Sequence, residues 1–238
     1  MTIYHYIAFG LFATFAAADM FVSARRFPSV RLWRTMGIIS TILYFAIATY
    51  APFMWDAWLG SHQLVDASGL NFGIQVALGF LLLQLGVYLW HRTMHRTDLL
   101  WRTMHQMHHS AERVDIWGAF YFHPLDMLGW AFLGSLCLVG GVGLTPEAAL
   151  VVSVLATFCS MFQHSNLATP HWLGYLVTRP ESHSLHHERD VHAWNYGDIP
   201  LWDMVFGTFC NPRQWDGQAG FHDGSTQQWS MLLGRKIS

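Results

Sequence analysis

Five long apolar runs separated by short polar stretches dominate the pattern along this chain. Residues 3–24 (IYHYIAFGLFATFAAADMFVSA), 36–55 (MGIISTILYFAIATYAPFMW) and 72–90 each come close to the roughly 20 apolar residues a helix needs to cross a bilayer core. Residues 125–144 and 147–163 form a fourth and fifth run, joined by the turn sequence GLTPE. Gly140, Gly141 and Gly143 interrupt that last pair, which leaves open a hairpin that crosses only partly. The pattern predicts an all-α integral-membrane bundle of about four transmembrane helices or helical hairpins. The first run starts too close to Met1, and lacks the basic start, to read as a signal peptide.

Composition strengthens this expectation. The chain is 53% hydrophobic and 12% charged, where soluble proteins carry about 25% charged residues. Its 238 residues suffice for one membrane bundle with an appended cap. A formal charge of -2 with mixed signs argues against a nucleic-acid partner. Cys137, Cys159 and Cys210 show no CxxC spacing, and two of them lie in apolar runs, so small-hydrophobe packing is expected rather than disulfides.

Basic residues set the orientation. The first connection holds Arg25, Arg26, Arg31 and Arg34; the second, DAWLGSHQLVDASGLN, holds no Lys or Arg; the segment after the third run holds Arg92, Arg96, Arg102 and Arg113. The first and third connections are therefore expected in the cytoplasm, and the turn around Thr145, without Lys or Arg, returns the chain there. Every histidine cluster then falls on the cytoplasmic side.

Those clusters carry the candidate chemistry. Residues 91–109 read HRTMHRTDLLWRTMHQMHH and hold five histidines. If the third helix continues past Trp90, His91 and His95 share one face at i and i+4, with Gln84 and Tyr88 preceding them on it. His105, His108 and His109 follow i, i+3, i+4 spacing, and HSLHH repeats it with His183, His186 and His187. His123, in YFHPLD, and His164, in FQHSN, lie between the clusters.

Neutral imidazoles bind Fe, Zn, Cu or Ni, and no soft thiolate set accompanies them. One helix face offers too few ligands to close a site, whereas eight to ten histidines suit two metals close together. A carboxylate-bridged di-iron bundle would need Glu-x-x-His motifs, which are missing. His5, His62, His171 and His222 read as ordinary surface or core residues. His192 reads the same way, or as a support for ligands or a headgroup contact.

The ordered set HRTMH, HQMHHS, FHPLD, FQHSN, RPESHSLHH and NYGDIPLWDMVFGTF resembles the fatty acid hydroxylase/sterol desaturase superfamily from about Phe80 to Pro212. The resemblance implies membrane helices with a cytosolic helical cap holding a non-haem centre of two Fe ions that activates O2. It implies residues 1–70 as anchoring helices and residues 71–238 as the catalytic domain. By matching positions, the ligands would be His91, His95, His105, His108, His109, His164, His183, His186 and His187. His123 would be either a ligand or a support behind one. Asn166, Asn195 and His192 are candidate supports for ligands; for the two asparagines, packing at a turn stays equally open.

The implied reaction is hydroxylation of an unactivated C–H bond in a lipid acyl chain, such as a fatty acid or an ornithine or other amino lipid. Desaturation with the same centre stays open. Arg92, Arg96 and Arg113 are headgroup candidates or solvated charges. Trp90, Trp101, Trp117 and Trp130 read as interfacial anchors or as residues beside an entering chain. Some relatives carry a fused cytochrome b5 domain, but HPLD is not its HPGG motif, so a separate electron donor is expected, ferredoxin- or cytochrome b5-type with a reductase. Zinc in place of iron after purification is foreseen; bound haem or flavin is not. Competing classes are a membrane zinc hydrolase and a bis-histidine haem protein, each of which leaves many clustered histidines unused, and a metal transporter, whose ligands would lie near the bilayer midplane whereas these clusters follow span ends. Compactness favours a bacterial inner membrane over the ER, GRKIS is not a KDEL-type signal, and the oligomeric state is not fixed by the sequence.

Overall fold

The computed structural model describes residues 3–238. Among these, helices account for all regular structure, apart from one isolated bridge between Glu188 and Ala219. Five helical segments are long and apolar enough to cross a bilayer. The first is α1 (Ile3–Phe21). Helix α2 (Trp33–Tyr50) continues through a tight turn to Met54, and the short α3 (Asp56–Ser61) follows. Helix α4 (Phe72–Arg96) is the longest, with 25 residues.

The chain then forms a short α5 (Asp98–Leu100), a π-helical turn over Trp101–His105 and α6 (Gln106–His109). Helix α7 (Pro124–Ser135) runs on through a second π-helical stretch to Gly141. Helix α8 (Pro146–His164) returns, and the cap is completed around α9 (Pro180–His186) and α10 (Pro200–Phe206). The pair left open as a partial hairpin is two helical segments of 18 and 19 residues, each long and apolar enough to cross, which makes five such segments. The π-helical stretch carries the glycine-interrupted segment on as helix, so Gly140 and Gly141 do not stop it. With 53% hydrophobic residues and these five segments, the chain is an integral membrane protein.

Local signals start two of the long helices. Asn71 caps α4 by accepting from the Gly73 N–H at 2.9 Å. Thr145 caps α8 by accepting from the Ala148 N–H, and Pro146 sits at its first position. Helix α4 crosses the bundle closely: a Cβ on Gly86 would come within 2.8 Å of Cys137 Sγ. Side chains of Leu83, Val87, Leu138 and Val152 fill that contact as one buried cluster. A second cluster joins Phe12, Phe15 and Phe45 of α1 and α2 to Phe120, Phe122 and Met161.

Both ends of the bundle are tied. At the end away from the histidines, Leu64, Val65 and Ala67 donate N–H groups to the Gly140, Gly141 and Val142 carbonyls. At the other end, Asp19 in the last turn of α1 accepts from the Ile116 and Asn166 N–H groups, both at 2.8 Å. Arg25 lies 3.3 Å from Glu181, so the arginine-rich first connection packs against the same cap as the histidine clusters.

Candidate metal centre

Nine histidine side chains converge where α4, α6, α8 and α9 meet. They form two groups: His91, His95, His105, His109 and His186; and His108, His164, His183 and His187. Within each group the ligand atoms all lie within 4.8 Å of one another. The groups abut, with the His109 and His187 rings stacked at 4.1 Å.

Neither HxxHH motif serves a single group. Successive residues turn by about 100° on a helix, so i and i+4 point 40° apart while i+3 points to the other side. His105 and His109 accordingly enter the five-histidine group and His108 the other. The second motif is shared in the opposite sense, with His183 and His187 in the four-histidine group and His186 crossing to the first. The single face expected for each cluster is therefore two.

Contacts behind the rings fix their tautomers. In the five-histidine group, Nδ1 of His91, His95 and His186 meets the carbonyls of Tyr196, His192 and Trp194 at 2.7–2.9 Å. His105 Nδ1 meets Asp126 Oδ2 at 2.8 Å. Carbonyls and carboxylates only accept, so each of these Nδ1 atoms carries hydrogen and each Nε2 presents a lone pair. His109 Nδ1 lies 3.0 Å from His192 Nδ1. In the four-histidine group, His164 Nδ1 donates to the Ser160 carbonyl at 2.7 Å. The Nδ1 atoms of His108, His183 and His187 are buried without a partner.

The inward-facing nitrogens fit metal ions. His186 Nε2 lies 3.0 Å from His91 Nε2 and 3.2 Å from His109 Nε2. His164 Nε2 lies 3.1 Å from His108 Nε2 and 3.0 Å from His183 Nε2, and His183 and His187 are 3.1 Å apart. Nitrogens bound at about 2.1 Å to one metal stand roughly 3.0–3.4 Å from each other. His91 Nε2 and His186 Nε2, both lone pairs by tautomer, face one another at 3.0 Å, a contact that a cation between them would relieve. Nε2 of His95 and His105 has no protein partner at all. Burial holds the six rings outside the spanning helices well below the usual imidazole range, His105 at about 3. At neutral pH they are uncharged, the form that binds metal.

The three carbonyls behind the five-histidine group come from one strained strap. Asp190, His192, Trp194 and Asn195 all have positive φ, between 40° and 70°, a conformation costly for non-glycine residues and kept where surroundings enforce it. Asp203 enforces it: its carboxylate accepts from the Tyr196 and Gly197 N–H groups at 2.8 Å each. Asn195 bridges the Ser182 carbonyl and the Cys210 N–H. Asp126, Asp203 and the strap carbonyls were missed in the sequence reading; FHPLD and NYGDIPLWD, which carry the two carboxylates, held the available signal.

Other predicted residues fall elsewhere. His123 lies outside both groups; its Nδ1 accepts from the Leu125 N–H and caps α7. Asn166 ties the first connection through Arg25 and does not touch a ligand ring by hydrogen bond. Arg113 pairs with Asp115 and donates to the Pro28 carbonyl, and Arg92 donates to Tyr88 Oη. Arg96 lines a shallow crevice with His95, Trp101, His192 and Lys236. Trp101 lies against His95 and His109, and Trp117 against Phe12.

A cavity of about 380 Å³ leads from the histidines into the bundle. His91, His105, His108, His164 and His183 close one end, and Trp130 lines the wall beside them. Leu83, Val87, Leu133, Leu138 and Leu150 continue the wall, and His5, Thr49, Pro52 and Asp56 lie at the far end. None of Arg92, Arg96 and Arg113 lines it.

The chain is 28% identical over 180 residues to an ornithine lipid hydroxylase, OlsE, of Rhizobium tropici, covering 73% of this chain and 50% of that protein. It is 26% identical over 143 residues to the sphingolipid C4-hydroxylase sur2 of Schizosaccharomyces pombe, covering 58% and 49%. It is 30% identical over 139 residues to an alkylglycerol monooxygenase of Danio rerio, covering 56% and 30%. The chain thus spans half or less of the length of these relatives. No solved structure matches it. The fatty acid hydroxylase profile matches residues 76–208, more than half of the chain and all nine converging histidines, and the protein belongs to that family.

Proposed function

We propose that this protein is an O2-dependent lipid hydroxylase whose two histidine groups each hold one iron ion. The observation that carries this reading is two adjoining all-imidazole groups at the closed end of an apolar cavity inside a membrane bundle. Soft ligands are absent from both groups, and the donor set suits iron as well as zinc. Bound iron would supply the activation of O2 for the overall change R–H + O2 + 2 e⁻ + 2 H⁺ → R–OH + H2O. His91, His95, His105, His109 and His186 would hold one ion, and His108, His164, His183 and His187 the other.

The chain's own part is to hold, orient and exclude. Asp126 and the strap carbonyls keep the His105, His91, His95 and His186 rings turned inward. Phe122 lies 4.5 Å from the His108 ring and Trp130 6.0 Å from His91, which lines the reacting end with apolar surface. The wall further on accepts an alkyl chain by burial of its methylenes, worth about 0.8 kcal/mol each. The relatives named hydroxylase or monooxygenase favour oxygen insertion over desaturation. The substrate is a membrane lipid and the electrons come from a separate ferredoxin- or cytochrome b5-type donor. The histidines face the cytoplasm, in keeping with the arginine-rich connection packed against the cap.

The test is purification with iron, followed by incubation with O2, reductant and a lipid extract. A mass gain of one oxygen supports the reading. Two irons bound with no lipid-dependent product would sink it.

A further inference from the structure

The metal end of the cavity is not wholly apolar. Asp198 and Gln163 line it beside His164 and His183. Asp198 accepts from Gln163 Nε2 at 2.9 Å and from Gln84 Nε2 at 3.1 Å. The three side chains belong to residues exposed by 7%, 6% and 0% respectively. Both glutamine oxygens, Gln84 Oε1 and Gln163 Oε1, are buried with no partner. Flipping either amide would turn its oxygen onto the carboxylate, so the surplus of acceptors is built into the cluster. Among the described residues, Asp198 takes part in no ion pair. A buried carboxylate with two orphan acceptors near it and no cationic side chain against it is a costly arrangement that a donor-bearing cation would relieve.

The rest of the cavity gives the other half of the argument. Its residues on α8 run from Ala149 to His164; 15 steps of 1.5 Å make about 22 Å, the reach of an extended chain of about sixteen carbons. The wall between is mostly Leu, Val, Ala and aromatic side chains. An amphiphile therefore has one place for a donor-rich head beside the metals and one path for its tail.

We propose that Asp198 and Gln163, with Gln84 holding Asp198 from behind, bind the ammonium head of an amino lipid, with its alkyl chain along the cavity toward Asp56. The carbon oxidised is then one close to the head. The assignment of the oxidised carbon rests on the hydroxylase reading; the binding of the ammonium does not.

The binding test uses zinc-loaded, redox-inert protein in detergent, with hexadecylamine and hexadecanol as probes. Wild type should bind the amine at least tenfold more tightly than the alcohol. In D198N that preference should vanish, with alcohol affinity within twofold of wild type and zinc content unchanged. Equal affinities in wild type, or a preference that survives in D198N, overturn the proposal. D56N serves as the comparison at the opposite end, and loss of the preference there instead of in D198N also overturns it. Should D198N fail to fold, the wild-type preference and Q163L, which removes one orphan acceptor, decide the matter: an undiminished preference in Q163L counts against the cluster. With iron and reductant, fragment masses should place the new hydroxyl within about four carbons of the nitrogen. A mid-chain or terminal hydroxyl overturns the orientation. No oxygen in any lipid, with the amine preference intact, refutes the hydroxylase reading and leaves the ammonium site standing.

Discussion

Replacing Asp126 with leucine isolates what holds one ligand ring in place. Asp126 is fully buried, and its Oδ2 takes the His105 Nδ1–H at 2.8 Å. Leucine is close in volume but accepts nothing, so that N–H is left buried and unsatisfied, at a cost of about 1–3 kcal/mol. At 1.4 kcal/mol per tenfold, this is roughly 5- to 150-fold in affinity, in line with the 10- to 100-fold usually lost when such a support is removed. The loss should be confined to one metal, because His105 belongs to the five-histidine group and Asp126 makes no hydrogen bond to the other four rings. Metal content after dialysis against graded chelator should show one ion leaving at lower chelator than in wild type and the other unmoved. Asp126→Asn, which keeps an acceptor oxygen, should lose tenfold or less. The reasoning is refuted if both metals leave together in Asp126→Leu, or if neither is weakened.

Further expectations follow from the same geometry. His186→Ala and His183→Ala, three residues apart in one helix, should each empty a different group and abolish turnover; elemental analysis showing the same metal lost in both would contradict the crosswise sharing. Gly134 lines the cavity and a Cβ there meets nothing within 4 Å, so Gly134→Phe should fold normally yet shift preference to shorter chains, read from product profiles with a mixed-length lipid series. Asp203→Ala strips two buried N–H groups of their acceptor, and should cost about 2–6 kcal/mol and lower the unfolding midpoint. Metal-free protein should lose stability as pH falls from about 6.5. The rings of His105, at about 3, and His192, at about 4, stay neutral in the fold while the unfolded chain takes up protons. Asp198 and Asp203, raised to about 6, act in the opposite sense between about pH 4 and 6, but they are two against seven lowered rings outside the spans. A higher midpoint at pH 5 than at pH 7.5 would show that this balance is wrong.

The sequence made legible those parts of the structure that repeat along a single helix. Apolar runs marked the spans, and i, i+3, i+4 spacing marked rings able to meet metals. Spacing gives the direction of a side chain around its own axis but not what stands opposite, so the division of each HxxHH between two groups was not readable. The strap behind the rings was silent for another reason. Its carbonyls have no side-chain signature, and its positive-φ positions are Asp190, His192, Trp194 and Asn195, without the glycine that usually announces such a turn. His123, left open between ligand and support, stands outside both groups with its ring capping α7, a role that the sequence around a histidine before proline does not announce. The first two helices, expected to anchor, also supply Tyr4, His5, Tyr44 and Thr49 to the cavity wall.

Crosswise sharing of the two HxxHH motifs bears on how the centre is made. A chain emerging N-terminus first has four of the five imidazoles of one group once His109 is out, but only His108 and His164 of the other until α9 follows. The five-histidine position is then the first to become competent for metal, and the four-histidine position waits for a segment about seventy residues later. His183 and His186 arrive in one helix with His187 directly after it, so the act that completes the second position also closes the first. Both ligand sets are thus complete only once the cap helix is made, and the strap and Asp203 that turn three of the rings inward follow it in the chain.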